Sequence, residues 1–399
     1  MVNIFYRLSK IVAVQLVFIC SLSLGVFAAD QGCAHWSEAV KTAEKIRGLK
    51  LKQEVQCLDL DRKSFTEQLS SKPKPLDELR SEELIFKSLG LIPKNFNYLD
   101  CAARSSTEFL VAYYDTASKK IYVNNQSDFS FDVLVHEAVH AIQDQHFNLE
   151  KLGKSASRST DTALAFSSVV EGDAMLVQNL YLDSLSVADS ESKSVANSSP
   201  EKSECNFPKM YQNLSLFSYS FGSMFCKREY LKGGFKRLNS WLINPPKSTR
   251  QIIHARNSAF NSERLEIDQS KLQEAFKVKL RKKVYSDEFG QYFVRALVGT
   301  SVDRQQAIRA GTGWLGDKIE LYSTSEGSFV LAWKLLWENE QHAEEFYQAI
   351  IKQLTITSAA ALDPKVKSQF VSVPGGDQYY LKIDESEVVL LFNLKLIFD

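Results

Sequence analysis

The chain has 399 residues, 44% hydrophobic and 24% charged, which is ordinary globular material long enough for two domains or one large one. Lysine plus arginine and aspartate plus glutamate both number 48, so no overall field recruits nucleic acid or an anionic membrane. No nucleic-acid-binding motif is present, and nucleic acid is not an expected partner.

The first 29 residues read as a secretory signal. Arg7 and Lys10 precede an apolar run, Ile11 to Val26. Val26-Phe27-Ala28 offers fairly small residues where a signal peptidase reads, with cleavage after Ala28 or, less neatly, Ala29. The run is shorter than the ~20 residues of a membrane span, and Gln15, Ser21 and Ser23 interrupt it. The mature chain is therefore expected to be exported, periplasmic or secreted, with no stable membrane insertion. Export implies an oxidising compartment, in which the mature chain keeps Cys33, Cys57, Cys101, Cys205 and Cys226. Five is odd, so at most two bridges form within one chain; Cys33–Cys57 and Cys205–Cys226 are the pairs nearest in sequence. No C-x-x-C spacing exists, which argues against a cysteine zinc site.

From Trp36 to Leu49 the apolar spacing predicts a helix, and Glu82 to Leu89 reads as a short helix stopped by Gly90. Phe109 to Tyr114 and Lys120 to Val123 are β-rich runs around the turn residues Asp115 to Ser118, hence a hairpin. A helix is expected over 133–149, a polar loop over 151–160 and a second helix from Thr162 to Ser184. Residues 187–206 carry six serines and few large apolar groups, the composition of a surface loop or linker. Helices follow over about 213–232 and 234–243, halted by Pro245-Pro246, and over 265–298. Lys318 to Ser323, Phe329 to Trp337, Tyr379 to Ile383 and Val388 to Ile397 read as strands, with a helix from Gln341 to Leu354. These elements define an α+β chain. Residues 1–29 are the signal, 30–299 a mainly helical part with a β-hairpin before its main helix, and 300–399 a small α+β module.

The chemistry concentrates in Val133 to Glu150, VLVHEAVHAIQDQHFNLE, which holds three of the six histidines. His136-Glu137-Ala138-Val139-His140 fits H-E-x-x-H. On a helix, positions i and i+4 lie on one face, so both imidazoles can converge on one cation. Glu137 can then reach a water on that cation and act as general base. A catalytic zinc takes three protein ligands and leaves one place for water. His146 has the spacing of a longer zinc motif, but Gln143 stands where that motif needs a glycine to turn the chain out of the helix. The helix is expected to continue and to point His146 away.

The better third ligand is Glu171, in Glu171-Gly172-Asp173-Ala174. From His140 the first helix runs about ten residues further, and the second needs about eleven from Thr160 to Glu171. At about 1.5 Å per residue these paths bring Glu171 level with His140 in an antiparallel pair. A carboxylate among Ala163, Leu164, Phe166, Val169 and Val170 is costly to bury without a partner, and a metal is one. Asp173 and Asp144 are candidates to hold the second ring nitrogens of the histidines. Gln143 reads as structural, and His35 and His342 as surface residues.

H-E-x-x-H followed by E-G-D-A resembles the gluzincin branch of zinc metallopeptidases. The match extends to a family of exported, largely uncharacterised bacterial proteins, through IRGLKL, the YYD at 113–115, VHEAVHAIQDQHFNL, VEGDAMLV, YSFG at 219–222, GGFKRLNSWLINPPKSTRQIIH, GWLGDKIELY and WENEQHAEEF. The resemblance implies a zincin-like core, one Zn2+ per chain held by His136, His140 and Glu171, and Glu137 as the base that activates water against a peptide bond. Ala255 replaces an expected proline, and the 187–206 insert is longer than usual; neither touches the ligands. A protein or peptide is the expected substrate. The oxyanion of such a reaction needs a donor besides the metal, and Tyr219 and His254 are the candidates. A zinc amidase acting on cell wall, and a non-catalytic binding or scaffold protein retaining the fold, are the alternatives.

Overall fold

A computed structural model describes residues 32–70, 75–104, 110–186, 207–254 and 262–395. The expected signal, the serine-rich stretch 187–206 with Cys205, and Ala255 lie outside the described residues. The protein is α+β. Helix α1 (Trp36–Arg47) buries Trp36, Ala39, Ala43 and Arg47, one face of a 3.6-residue repeat, and Gly48 ends it in the left-handed region. Strand β1 (Cys57–Leu60), helices α2 (Arg62–Ser70), α3 (Leu76–Ser88) and α4 (Tyr98–Arg104), and strands β2 (Ala112–Asp115) and β3 (Lys120–Asn124) follow. The hairpin pairs antiparallel, with Tyr113 opposite Tyr122. β1 joins it in parallel, with Cys57 opposite Ile121. The order β1-β3-β2 leaves β2 at an edge of this sheet.

Helix α5 (Phe131–Phe147) lies against β2 and α1, and nearly all its first fourteen residues are buried. The loop expected over 151–160 is instead mostly helix, α6 (Leu149–Ala156). Asn148 explains the correction. It takes φ 58°, which ends α5, and its side chain accepts from Lys151 N, which starts α6. Helix α7 (Thr160–Ser186) then returns along α5 and packs against α8 (Lys209–Ile243), which bends at Gly233 and Gly234. Backbone touches backbone where α7 and α8 cross. A side-chain carbon on Gly172 would overlap the Gly222 carbonyl, and one on Gly222 would overlap the Ser168 carbonyl.

Helices α9 (Thr249–His254) and α10 (Gln269–Phe276), strand β4 (Leu280–Asp287), helices α11 (Gly290–Val298) and α12 (Arg304–Gly311), strands β5 (Trp314–Thr324) and β6 (Phe329–Trp337), helix α13 (Glu340–Ser358) and strands β7 (Ser368–Ser372), β8 (Gln378–Asp384) and β9 (Glu387–Leu394) complete the chain. The strands β4 to β9 form one antiparallel sheet in the order β4-β5-β6-β9-β8-β7. The continuous helix expected over 265–298 is broken by β4. Its Arg281-Lys282-Lys283 run favours helix locally, but pairing with β5 prevails, Lys283 lying opposite Tyr322. One apolar core runs from Ile85 through the helices to Leu394 in this sheet.

Buried carboxylates join α7 to the sheet side of the molecule. Asp287 accepts from Thr160 N at 2.8 Å, and Asp161 accepts from Thr249 N at 2.8 Å. Asp317 accepts from Phe289 N and Gly290 N, both at 2.9 Å. The expected Cys33–Cys57 bridge is present and ties the start of α1 to β1. The expected Cys205–Cys226 pair is not: Cys226 is a free, buried thiol, and Cys101 is disulfide-bonded. Cys226 is enclosed where α8 crosses α7, its Sγ 3.6 Å from Val169 O. No described helix is long and apolar enough to cross a membrane.

The crossing of α7 and α8 carries a test. Gly222→Ala is expected to lower stability by about 1–3 kcal/mol through overpacking, measured by urea unfolding. An unchanged midpoint and slope would mean that the two helices do not meet at these glycines.

Candidate metal centre

Helix α5 places His136 and His140 one turn apart, and α7 brings Glu171 opposite them. The Nε2 atoms of His136 and His140 are 3.0 Å apart. Glu171 Oε2 lies 3.3 Å from the first and 3.4 Å from the second. A tetrahedral zinc with bonds of about 2.0–2.1 Å separates its ligand atoms by about 3.3 Å, so this triangle has the size of one face of that tetrahedron. No fourth histidine, cysteine, aspartate or glutamate joins the group among the described residues.

The far sides of the rings decide what the triangle can hold. Gln143 Nε2 donates to Val170 O at 3.0 Å and to Asp173 Oδ2 at 2.9 Å. Its nitrogen end is thereby fixed between two acceptors, so its oxygen faces His140 Nδ1 at 3.0 Å. Gln178 Nε2 donates to Asp132 Oδ2 at 2.6 Å, which leaves its oxygen to face His136 Nδ1 at 3.1 Å. Both rings therefore carry a proton on Nδ1 and present Nε2 inward. In their neutral form the triangle consists of three electron-pair donors, which is a cation site.

The same donors also attract a proton. Burial alone would lower the pKa of His140, but the Glu171 carboxylate outweighs it and lifts the ring to about 9. Burial would raise Glu171, but the two imidazoles hold it well below the usual carboxylate range. Glu137 is 3% exposed and is pushed up by burial, against the opposing pull of His140 and His136. Its Oε2 accepts from Tyr114 N of β2 at 2.8 Å, so the hairpin fixes this carboxylate beside the triangle.

The structure thus gathers His136, His140 and Glu171 with Glu137 against them. His146 stands apart, because α5 does continue through Gln143, and its Nε2 donates to Lys50 O at 2.7 Å. Tyr219 is buried in the apolar core on α8. His254 lies exposed at the end of α9, outside the ligand group, and its Nε2 accepts from Gln291 Nε2 at 3.1 Å. Neither expected ring partner is a direct one. Asp144 instead accepts from Tyr114 Oη at 2.9 Å, Lys119 Nζ at 2.7 Å and Leu149 N at 3.0 Å. Asp173 reaches His140 through Gln143, which bridges α5 to α7 and also meets the His140 ring. Gln178 and Asp132 were missed. Helical spacing could have shown them, since Gln178 follows Glu171 by two turns and Asp132 precedes His136 by one.

Residues 273–394 match the model of a domain of unknown function (DUF8575), which spans the strands β4 to β9 and none of the metal centre. No curated protein and no solved structure matches the chain.

A metal ion bound at this triangle would have to displace the proton that Glu171 favours on His140. Apparent zinc affinity is therefore expected to climb about tenfold per pH unit from pH 7 and to level off above the His140 pKa. Competition against a chelator of known pH dependence measures this; a flat profile would mean that metal binding releases no proton from His140.

Proposed function

We propose that the protein is an exported zinc-dependent metallopeptidase with a zincin-like core of the gluzincin type. The observation that carries the reading is the inward-facing triangle of His136 Nε2, His140 Nε2 and Glu171 Oε2, with a buried glutamate held beside it. Three protein ligands suit a catalytic zinc, whereas a structural zinc would take a fourth. Zinc held there supplies Lewis acidity, polarising a carbonyl and making a water acidic near neutral pH.

The protein's own residues supply the rest. Glu137 takes a proton from the attacking water and returns it to the leaving amine. The Tyr114 N–H keeps one carboxylate oxygen fixed while the other turns to the water.

The geometry of β2 favours a peptide as substrate. Val111 O accepts from Asn124 N of the neighbouring strand, so Val111 and Tyr113 turn their backbone groups toward β3. Ala112 and Tyr114 turn theirs the other way, to the free edge of the sheet among the described residues. Tyr114 N on that edge points at Glu137. An extended peptide added along this edge would pair with the Ala112 backbone and the Tyr114 carbonyl, the Tyr114 N–H being taken by Glu137, and would run past the base.

Glu137→Gln is expected to keep about one zinc per chain and to lose about 100-fold or more in the rate of cleaving a fluorescence-quenched peptide library. Glu171→Ala is expected to lose most of its zinc. Undiminished cleavage by the first variant, or full zinc loading of the second, would overturn the proposal.

A further inference from the structure

The metal centre rests on a buried chain of contacts that reaches the N-terminal helix. Gln143 is fully buried, and its amide nitrogen meets Asp173 Oδ2 at 2.9 Å. The same oxygen accepts from Arg47 Nε at 2.9 Å, between two side chains that are both 0% exposed. Arg47 Nη2 donates to Asn239 Oδ1 at 2.7 Å, and its guanidinium lies over the Phe235 ring at 4.6 Å. Helices α1, α5, α7 and α8 therefore meet behind the second imidazole.

This pair is not arranged for its own strength. The strongest arginine–carboxylate geometry uses two parallel bonds to two oxygens. Here Asp173 Oδ1 and Arg47 Nη1 are buried with no hydrogen-bond partner among the described residues, while Oδ2 serves both Arg47 and Gln143. A buried ion pair adds little stability over an apolar pair of the same volume, so stability alone does not account for it. The shared oxygen does account for it, because it orients the amide. With Gln143 Nε2 held by Asp173 and Val170 O, the amide oxygen is the only end left for His140 Nδ1.

We infer that Gln143 is a positioning residue for the second metal ligand, and that Asp173 and Arg47 set its orientation from α7 and α1. Resting on the zinc reading above, this assigns Arg47 a role in metal binding without any contact to the metal. An amide serves here where a carboxylate would not. A glutamate at 143 would place a second negative charge against Asp173, whereas the amide accepts on one side and donates on the other. His140 Nδ1 keeps its proton, and Nε2 is held toward Glu171.

The test uses the mature chain, residues 30–399, with zinc dissociation constants from chelator competition and the visible spectrum of the cobalt-loaded protein. Gln143→Leu is expected to weaken zinc binding by about 10–100-fold and to change the cobalt spectrum. Arg47→Gln should shift both in the same direction by less. Thermal melting of each variant separates misfolding from loss of positioning. If Gln143→Leu does not fold, nitrogen-15 NMR of the zinc-loaded wild type decides instead, with a protonated His140 Nδ1 expected. Zinc binding by Gln143→Leu within twofold of wild type would overturn this inference alone, whereas a metal-bound His140 Nδ1 in the wild type would overturn it together with the ligand triangle. A wild type that binds no zinc would overturn the metallopeptidase reading itself.

Discussion

Two imidazole nitrogens and a carboxylate oxygen face one another across 3.0–3.4 Å inside the protein. Left neutral and anionic, these groups would only repel, so the site requires a positive charge at its centre, whether a proton or a metal ion. Much of the surrounding structure serves to hold that arrangement. α5 supplies the two rings and α7 the carboxylate, while buried carboxylates anchor the first turn of α7 to the neighbouring elements. The glycine contact between α7 and α8 lets the two helices approach to backbone distance at the residue following Glu171. Two glutamine amides close the rear of the site and decide which nitrogen of each ring looks inward.

The small sheet gives this centre a working side. The N–H of Tyr114 in β2 meets the Glu137 carboxylate, while the Tyr114 hydroxyl and Lys119 from the hairpin meet Asp144 further along α5. The hairpin is thus fastened to the helix at two points, one of them the proposed base. The Cys33–Cys57 bridge secures β1, on the far side of β3 from the open edge. The hairpin meets Glu137 and carries the strand edge proposed to pair with an extended substrate, so in that proposal base and substrate would share one frame of reference.

Much of this was legible in the sequence because it follows from spacing. H-E-x-x-H places two rings on one helical face, and counting residues along an antiparallel pair puts Glu171 level with them. The long periodic elements were equally visible: Phe329–Trp337 is a strand with the expected bounds, and the bend of α8 falls at its two glycines. The failures have physical causes. β1 is four residues long and finds its partner more than sixty positions away, at Ile121. β4 is rich in lysine and is a strand because β5 pairs with it. α6 depends on one asparagine that ends one helix and caps the next. In the site, Gln143 and Gln178 carry no charge and are not ligand types, so spacing puts them on the right helix faces but only their neighbours show which ring each one meets. Arg47 and Asp173 are 126 residues apart, and no local pattern joins them.

The most direct test of the central claim is a zinc-edge anomalous difference map from crystals of the zinc-loaded mature protein. One peak about 2.0–2.2 Å from His136 Nε2, His140 Nε2 and a Glu171 oxygen is the expected result. A map without a peak at that triangle, or with its strongest peak on other residues, would contradict the claim.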